Sequence, residues 1–201
     1  MSQDINTLFD KPDLLLLSGD DDTSTTIAAN FARAANHGLA YLTYPGSGIN
    51  DNPDDIFEIN FEHLKEANRY LMRANKNMHR SWPRQNMSTD NALRRDMWLV
   101  RWCHTVYIIG LFTQDASLLK INTDVAWPAQ MYVDRFLYDQ EPMDLCELYL
   151  FDMKSEAWWA WRGHWSMCKT APTASGLYTI LSNEKLSNAG KDAIRALYKT
   201  S

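Results

Sequence analysis

Five short apolar runs recur along the chain, and each is too short to form a helix of its own. Polar or amphipathic stretches separate them. A continuous apolar run of this length is typical of a strand that is buried on both faces of a parallel sheet. The pattern therefore predicts strands at residues 13–18, 39–44, 105–110, 146–151 and 177–181.

Helical signals lie between these runs. An alanine-rich stretch, residues 27–37, ends at Gly38, the usual position of a glycine just past a helix. Pro53 can start a second helix, and apolar residues follow helical spacing from there to about His79. Further helices are predicted at residues 93–102, at residues 125–136 with Pro128 in the first turn, and at residues 187–198.

Alternating strands and helices predict an α/β fold, a three-layer Rossmann-like sandwich with a mainly parallel sheet and right-handed crossovers. A length of 201 residues is that of one domain. We expect residues 1–201 to form a single Rossmann-like domain with a helical insertion at about residues 53–102.

Composition narrows the protein class. With 45% hydrophobic and 22% charged residues, the chain is expected to be a soluble globular protein, not a disordered or collagen-like one. No apolar run is long enough for a membrane helix, and the polar, acidic start differs from a secretory signal. We therefore expect a cytoplasmic protein that has no membrane partner.

Metal and cofactor chemistry finds little support in the sequence. Cys103, Cys146 and Cys168 lack the spacing of a zinc site and are expected to be buried free thiols. The histidines have no Cys or Asp partner at ligand spacing; they are His37, His63, His79, His104 and His164. We expect no metal site and no cofactor.

Charge is unevenly distributed. Residues 1–64 carry two basic and eleven acidic side chains, whereas residues 65–101 carry nine basic and three acidic ones. The acidic first third argues against a nucleic-acid partner, which is bound through many Lys and Arg side chains. The basic middle segment is either an anion site or an Arg-rich solvated helix face.

Candidate ligand residues follow the predicted strands, because ligands of such sheets bind at the carboxyl ends of the strands. Here they are Ser18, Gly19, Asp20, Gly110, Thr123 and Asp124. The Asp20 to Asp22 run could hold a divalent cation or cap the following helix.

Four further candidates lie on helices, and each has a structural alternative. Arg94 and Arg95 could bind a phosphate or carboxylate, or pair with Asp90 and Asp96 on the surface. Trp127 and Gln130 could stack on and hydrogen-bond a base, or serve as core and cap residues.

Several segments together resemble a known family. They are Leu17-Ser-Gly19, Arg94-Arg-Asp-Met-Trp98, Cys103-His-Thr-Val-Tyr-Ile-Ile-Gly110, Ala126-Trp-Pro-Ala-Gln-Met131, Leu148-Tyr-Leu-Phe-Asp152 and Asn188-Ala-Gly-Lys191. In this order they are similar to a family of Rossmann-like proteins common in phage genomes. That family belongs to the SLOG superfamily, which includes the DprA DNA-processing proteins and the Lonely guy phosphoribohydrolases. A phage-encoded chain would act in the host cytoplasm.

The resemblance implies a nucleotide-shaped site. In the family, glycine-rich turns after the first and third strands let backbone amides approach a phosphate. In its hydrolases, a Glu and an upstream Arg act on the N-glycosidic bond of a nucleoside monophosphate. The Arg would correspond here to Arg94 or Arg95.

This sequence departs from the family pattern at the phosphate cradle and at the catalytic acid. Asp20 and Thr23 stand where further glycines are expected, and the second turn reads Asn122-Thr123-Asp124. The position of the hydrolase Glu falls at about Pro128. We therefore expect a non-catalytic or weakly catalytic protein that binds a nucleotide-derived ligand. The alternatives are an interaction protein that uses the fold as a scaffold, and a divergent N-glycosidic-bond hydrolase.

A tryptophan-rich segment follows the fourth predicted strand, with Trp158, Trp159, Trp161 and Trp165. Such a cluster suits an interface with a protein partner or a second copy, a lid over the ligand cleft, or a cover for one edge of the sheet. We expect a homodimer through this segment or through the Arg-rich helix at residues 94–102, with Trp98 and Trp102.

Overall fold

The computed structural model describes residues 12–19, 23–47, 55–83, 86–113, 118–121, 124–182 and 185–199. Its strands are β1 (Asp13–Ser18), β2 (Gly38–Thr43), β3 (Asp55–Glu58), β4 (Thr105–Gly110), β5 (Glu147–Asp152), β6 (Ala157–Trp161), β7 (Trp165–Met167) and β8 (Gly176–Leu181). Its α-helices are α1 (Thr23–Ala34), α2 (Phe61–Met78), α3 (Met87–Trp102), α4 (Ala126–Tyr138) and α5 (Asn188–Ala196).

All eight strands form one sheet in the order β3-β2-β1-β8-β4-β5-β6-β7. The pairs from β3 to β5 are parallel, and only β6 and β7 run antiparallel to their neighbours. One hydrophobic core lies between the sheet and helices α2, α3 and α4, and a second lies between the sheet and helices α1 and α5. The predicted three-layer α/β sandwich with a mainly parallel sheet is therefore confirmed, and all five predicted strands belong to it.

The prediction of a helix that begins at Pro53 is wrong for the residues before Phe61 that the structure describes. The segment at Asp55–Glu58 is instead an edge strand that pairs with β2, and its Phe57 side chain is buried in the core. Helix α2 begins only at Phe61, because the side chain of Asn60 accepts a hydrogen bond from the backbone N–H of His63 and caps the helix there.

Helix α3 begins six residues earlier than predicted, at Met87 and not at residue 93. The reason is a second asparagine cap: the side chain of Asn86 accepts hydrogen bonds from the backbone N–H groups of Ser88 and Thr89. Helix α3 packs on β1, β2 and β8, and α2 packs on α3 and α4.

The tryptophan-rich segment forms the β6–β7 hairpin at one end of the sheet, paired to β5. Trp158 and Trp161 are buried in the two opposite cores, whereas Trp159 and Trp165 are half-buried. None of the eight tryptophans is exposed. The edge-cover interpretation accounts for this burial, and self-association stays a prediction.

Among the described residues, no helix has both the length and the apolar character that crossing a membrane requires.

Candidate functional site

A cleft of about 130 Å³ opens at the carboxyl ends of β1 and β8, and we call it the strand-end cleft. It lies where the strand order changes direction, because the chain proceeds from β1 outward to β2 and from β4 outward to β5 on the other side. Ligands of open α/β sheets bind at such a switch point. The lining residues are Ser18, Thr25, Leu93, Arg95, Asp96, Asp124, Val125, Pro128, Ile180, Leu181 and Ser182.

One wall of the cleft holds an ion pair from helix α3. The Arg95 side chain is only 2% exposed. Its Nε and Nη2 donate to Oδ1 of Asp96 at 3.0 and 2.7 Å, and its guanidinium carbon lies 5.9 Å from the centre of the Tyr44 ring. Because Asp96 already takes two of its donors, Arg95 offers less attraction to an incoming anion than its charge suggests.

The opposite wall is the start of helix α4, with Asp124, Val125 and Pro128. A helix start can bind anions through its backbone N–H groups. Here Pro128 lacks an N–H, and Asp124 is an exposed acidic residue of the cleft lining. This helix start therefore disfavours a phosphate.

Hydroxyl groups complete the polar lining. Ser18 ends β1, Thr25 lies in the first turn of α1, and Ser182 follows β8; all three are half-buried. Ile180 and Leu181 add apolar surface. Among the described lining residues, one Arg and two Asp give a formal charge of −1, which favours a neutral or cationic polar group.

Three of the residues singled out from the sequence meet in the strand-end cleft: Ser18, Arg95 and Asp124. Gly19 adjoins them, and its backbone N–H donates to the carbonyl of Leu42 at 3.0 Å. Asp20 and Thr123 lie outside the described residues.

The other four sequence candidates do not line the strand-end cleft. Gly110 ends β4, but a Cβ atom built there would make only ordinary contacts, at 3.6 Å or more. Arg94 faces α2, with its Nε donating to Oδ1 of Asn68 at 2.7 Å. Trp127 and Gln130 are fully buried in the core.

For Arg95, the alternative of pairing with Asp96 on the surface is wrong in part. Arg95 does pair with Asp96, but as a buried side chain and not on an exposed helix face. Asp96 and two hydroxyl residues of the cleft, Thr25 and Ser182, were not among the candidate ligand residues. Ser182 directly follows β8, so the rule that placed Ser18 could have found it, and Thr25 belongs to the polar stretch after β1.

One carboxyl group away from the strand-end cleft, that of Asp134, is almost completely buried. The carboxyl of Asp134 is 1% exposed and accepts hydrogen bonds from the amides of Gln130 and Asn77 at 2.8 and 2.9 Å. Burial raises its pKa to about 6. It does not line the strand-end cleft.

Burial raises the pKa of all three cysteine thiols, whereas a reactive cysteine has a lowered pKa. Cys103 and Cys146 are buried free thiols, as predicted, and Cys168 is a half-buried free thiol. Burial raises the pKa of the Cys146 thiol to about 12 and that of Cys103 further, so neither forms the nucleophilic thiolate at neutral pH. The part of the chain that the structure describes contains no group of three or more His, Cys, Asp or Glu side chains that could hold a metal ion.

No protein-family model, no curated protein and no solved structure matches this chain.

Proposed function

We propose that this chain is a Rossmann-like binding protein, non-catalytic or weakly catalytic, that recognises a nucleotide-derived small molecule in the strand-end cleft through its nucleoside part. The observation that carries the proposal is the placement of Arg95, Asp96 and Asp124 at the switch point of the sheet. A site with these charges favours hydroxyl or amine groups over a phosphate.

Size supports recognition of one ring. An engineered protein cavity of about 150 Å³ accepts benzene, and the strand-end cleft has about 130 Å³. A ribose or a single base fits this space, whereas a whole nucleotide does not. The rest of the ligand therefore lies outside the mouth.

The polar lining fits a ribose. Carboxylates accept hydrogen bonds from ribose hydroxyls in dinucleotide-binding sheets, and here Asp124 is an exposed residue of the cleft lining. Hydroxyls such as those of Ser18 and Thr25 both donate and accept. A phosphate would instead lie outside the cleft, because the described lining carries more acidic than basic side chains.

The resemblance to the SLOG superfamily supports a nucleotide-derived ligand. Pro128 lines the cleft at about the position where that resemblance expects the hydrolase Glu. A proline has no carboxyl group to stabilise the oxocarbenium-like charge of N-glycosidic cleavage. This favours binding over turnover.

A thermal-shift panel tests the proposal on the purified chain. Nucleosides, nucleoside monophosphates, NAD derivatives and cyclic dinucleotides are compared at equal concentration, and we expect at least one to raise the melting temperature. Ser18→Ala and Thr25→Val should reduce that shift, whereas Asp144→Asn, an exposed carboxylate outside the cleft lining, should not. A panel without any shift, or shifts that the cleft variants leave unchanged, would refute the proposal.

We also propose that the chain forms a homodimer, and this prediction is independent of the strand-end cleft. Trp159 and Trp165 are the half-buried rings of the hairpin, and exposed Met167 lies opposite Trp159 in the strand register. Light scattering should give about twice the chain mass of 23.2 kDa, and Trp159→Ala should lower it. A monomeric mass would exclude the dimer without affecting the strand-end cleft.

A further inference from the structure

A second and larger cavity lies beside the β6–β7 hairpin, and we call it the aromatic cleft. Its volume is about 480 Å³, within the range of roughly 300–1,000 Å³ that small-molecule sites occupy. One side of its described lining is the hairpin itself, and the other is formed by Phe112, Thr113, Leu118 and Lys120, next to the bridge between Phe112 and Ile121. The proposed function does not use this cavity.

Three aromatic rings and the Leu118 side chain contribute apolar surface to the aromatic cleft. Phe112 and Trp165 meet edge to face with ring centres 5.6 Å apart, and Trp161 and Trp165 do so at 5.4 Å. Trp161 is buried in the core, and Phe112 and Trp165 are half-buried. Ring faces and edges in this arrangement are well suited to pack a planar aromatic group.

Hydrogen bonds fix both walls in place. Nε1 of Trp165 donates to the carbonyl of Leu119 at 2.7 Å, which ties the hairpin to the opposite wall. The backbone N–H of Thr113 donates to the carbonyl of Lys120 at 2.7 Å. A cavity held by such bonds is preformed, so that little ordering opposes the binding of a ligand.

The one formal charge of the described lining is positive, that of Lys120. Lys120 and His164 are exposed side chains of the aromatic cleft, and no acidic side chain stands among its described lining residues. The ammonium of Lys120 can donate charge-assisted hydrogen bonds to an anion. This contrasts with the strand-end cleft, whose described lining carries an excess of acidic side chains.

We infer that the aromatic cleft binds a small planar aromatic carboxylate, with its ring packed against Trp165 and Phe112 and its carboxylate paired with Lys120. The ring supplies the apolar area that the cavity can bury, and the carboxylate supplies the charge that Lys120 complements. The ligand class thus follows from the shape and the charge of the same eight-residue lining.

Isothermal titration calorimetry with indole-3-acetate tests this inference on the full chain. Two matched probes separate the two features: indole-3-acetamide keeps the ring and lacks the charge, and cyclohexylacetate keeps the charge and lacks the aromatic face. We expect saturable binding of indole-3-acetate and about three- to tenfold weaker binding of each of the other two.

Variants localise the binding. Lys120→Gln should weaken indole-3-acetate about three- to tenfold, His164→Gln should weaken it less, and Lys120→Arg should restore it. Lys199→Gln, an exposed lysine after α5 on the other face of the sheet, is the matched control and should bind as the wild type. Asp124→Asn should also bind as the wild type, which separates this site from the strand-end cleft.

Three outcomes would overturn the inference. They are the absence of saturable binding at millimolar probe, equal affinity for indole-3-acetate and its amide, and equal affinity in the wild type and in Lys120→Gln. A dimer by light scattering that Trp165→Phe dissociates, together with an absence of probe binding, would assign the aromatic cleft to a second copy of the chain.

Discussion

The guanidinium of Arg95 and the carboxylate of Asp96 form a buried ion pair at the strand-end cleft, although the two residues are sequence neighbours. Both hydrogen bonds reach the same carboxylate oxygen, from Nε at 3.0 Å and from Nη2 at 2.7 Å. Arg95 is 2% exposed and Asp96 is 19% exposed. Both residues line the strand-end cleft, where the Arg95 charge is almost fully buried and the Asp96 carboxylate keeps some exposure.

Removing the carboxylate of this pair should destabilise the fold. We expect Asp96→Ala to lower the free energy of unfolding by about 2–4 kcal/mol, because a buried guanidinium loses a charged partner at 2.7 Å. Asp96→Asn keeps an acceptor oxygen and should lower it by about 1–2 kcal/mol. Urea denaturation measures both, with Asp144→Asn as the control. An Asp96→Ala variant within about 0.5 kcal/mol of the wild type would contradict the pairing.

The buried carboxyl of Asp134 should make stability depend on pH. Its pKa is about 6 in the folded chain and 3.8 for an ordinary aspartate, so between these values the folded state binds more protons than the unfolded state. Stability from this group is therefore complete below pH 3.8 and is lost as the pH rises to about 6. The loss is on the order of 3 kcal/mol.

Asp134→Asn isolates this contribution, since the amide stays neutral and keeps an oxygen for the donors of Asn77 and Gln130. We expect the wild type to lose stability relative to the variant between pH 4 and pH 7, measured by urea denaturation at each pH. If the free energies of unfolding of the two proteins changed in parallel with pH, Asp134 would have the pKa of an ordinary aspartate.

We expect the Trp127 side chain to stabilise the hydrophobic core and not to contact a ligand. This side chain is fully buried among the packed residues of α4, so Trp127→Ala should lower the free energy of unfolding by about 3–5 kcal/mol. Leu145→Ala, at a side chain that is 61% exposed, should change it by less than about 0.5 kcal/mol. A Trp127→Ala variant of wild-type stability that loses ligand affinity would restore the base-stacking hypothesis.

The central part of the sheet was predictable because strands buried on both faces leave continuous apolar runs, as Leu14 to Leu17 do. Edge strands leave no such run. In β3 the alternation of exposed Ile56 and buried Phe57 spans only four residues, and the β6–β7 hairpin is defined by its pairing to β5, which lies outside its own sequence.

Part of the strand-end cleft could also be predicted, because position along the sequence alone identified some of its residues. Post-strand position identified Ser18 and Asp124 without any knowledge of packing. The placement of Arg95 and Asp96 could not be predicted in this way, because the burial of Arg95 depends on how α3 packs on β1, β2 and β8. The aromatic cleft also depends on packing, since Trp165 reaches Leu119 across 46 positions of the sequence.

We expect no appreciable hydrolysis of AMP, as followed by chromatographic release of adenine. Pro128 supplies no carboxyl group, and the Asp96 carboxylate is held by Arg95. Turnover that Asp124→Asn abolishes and Asp144→Asn preserves would contradict this and identify Asp124 as a relocated catalytic acid. Loss of such turnover in Asp134→Asn would assign that role to Asp134 instead.

The most direct test of the strand-end cleft is calorimetric titration of adenosine and of AMP into the wild type and into Asp124→Asn. A cleft that recognises the nucleoside part should bind adenosine at least as tightly as AMP, and Asp124→Asn should shift the ratio toward AMP by about three- to tenfold. Binding of AMP at least tenfold tighter than adenosine in the wild type, unchanged in Asp124→Asn, would contradict the account and indicate a phosphate site.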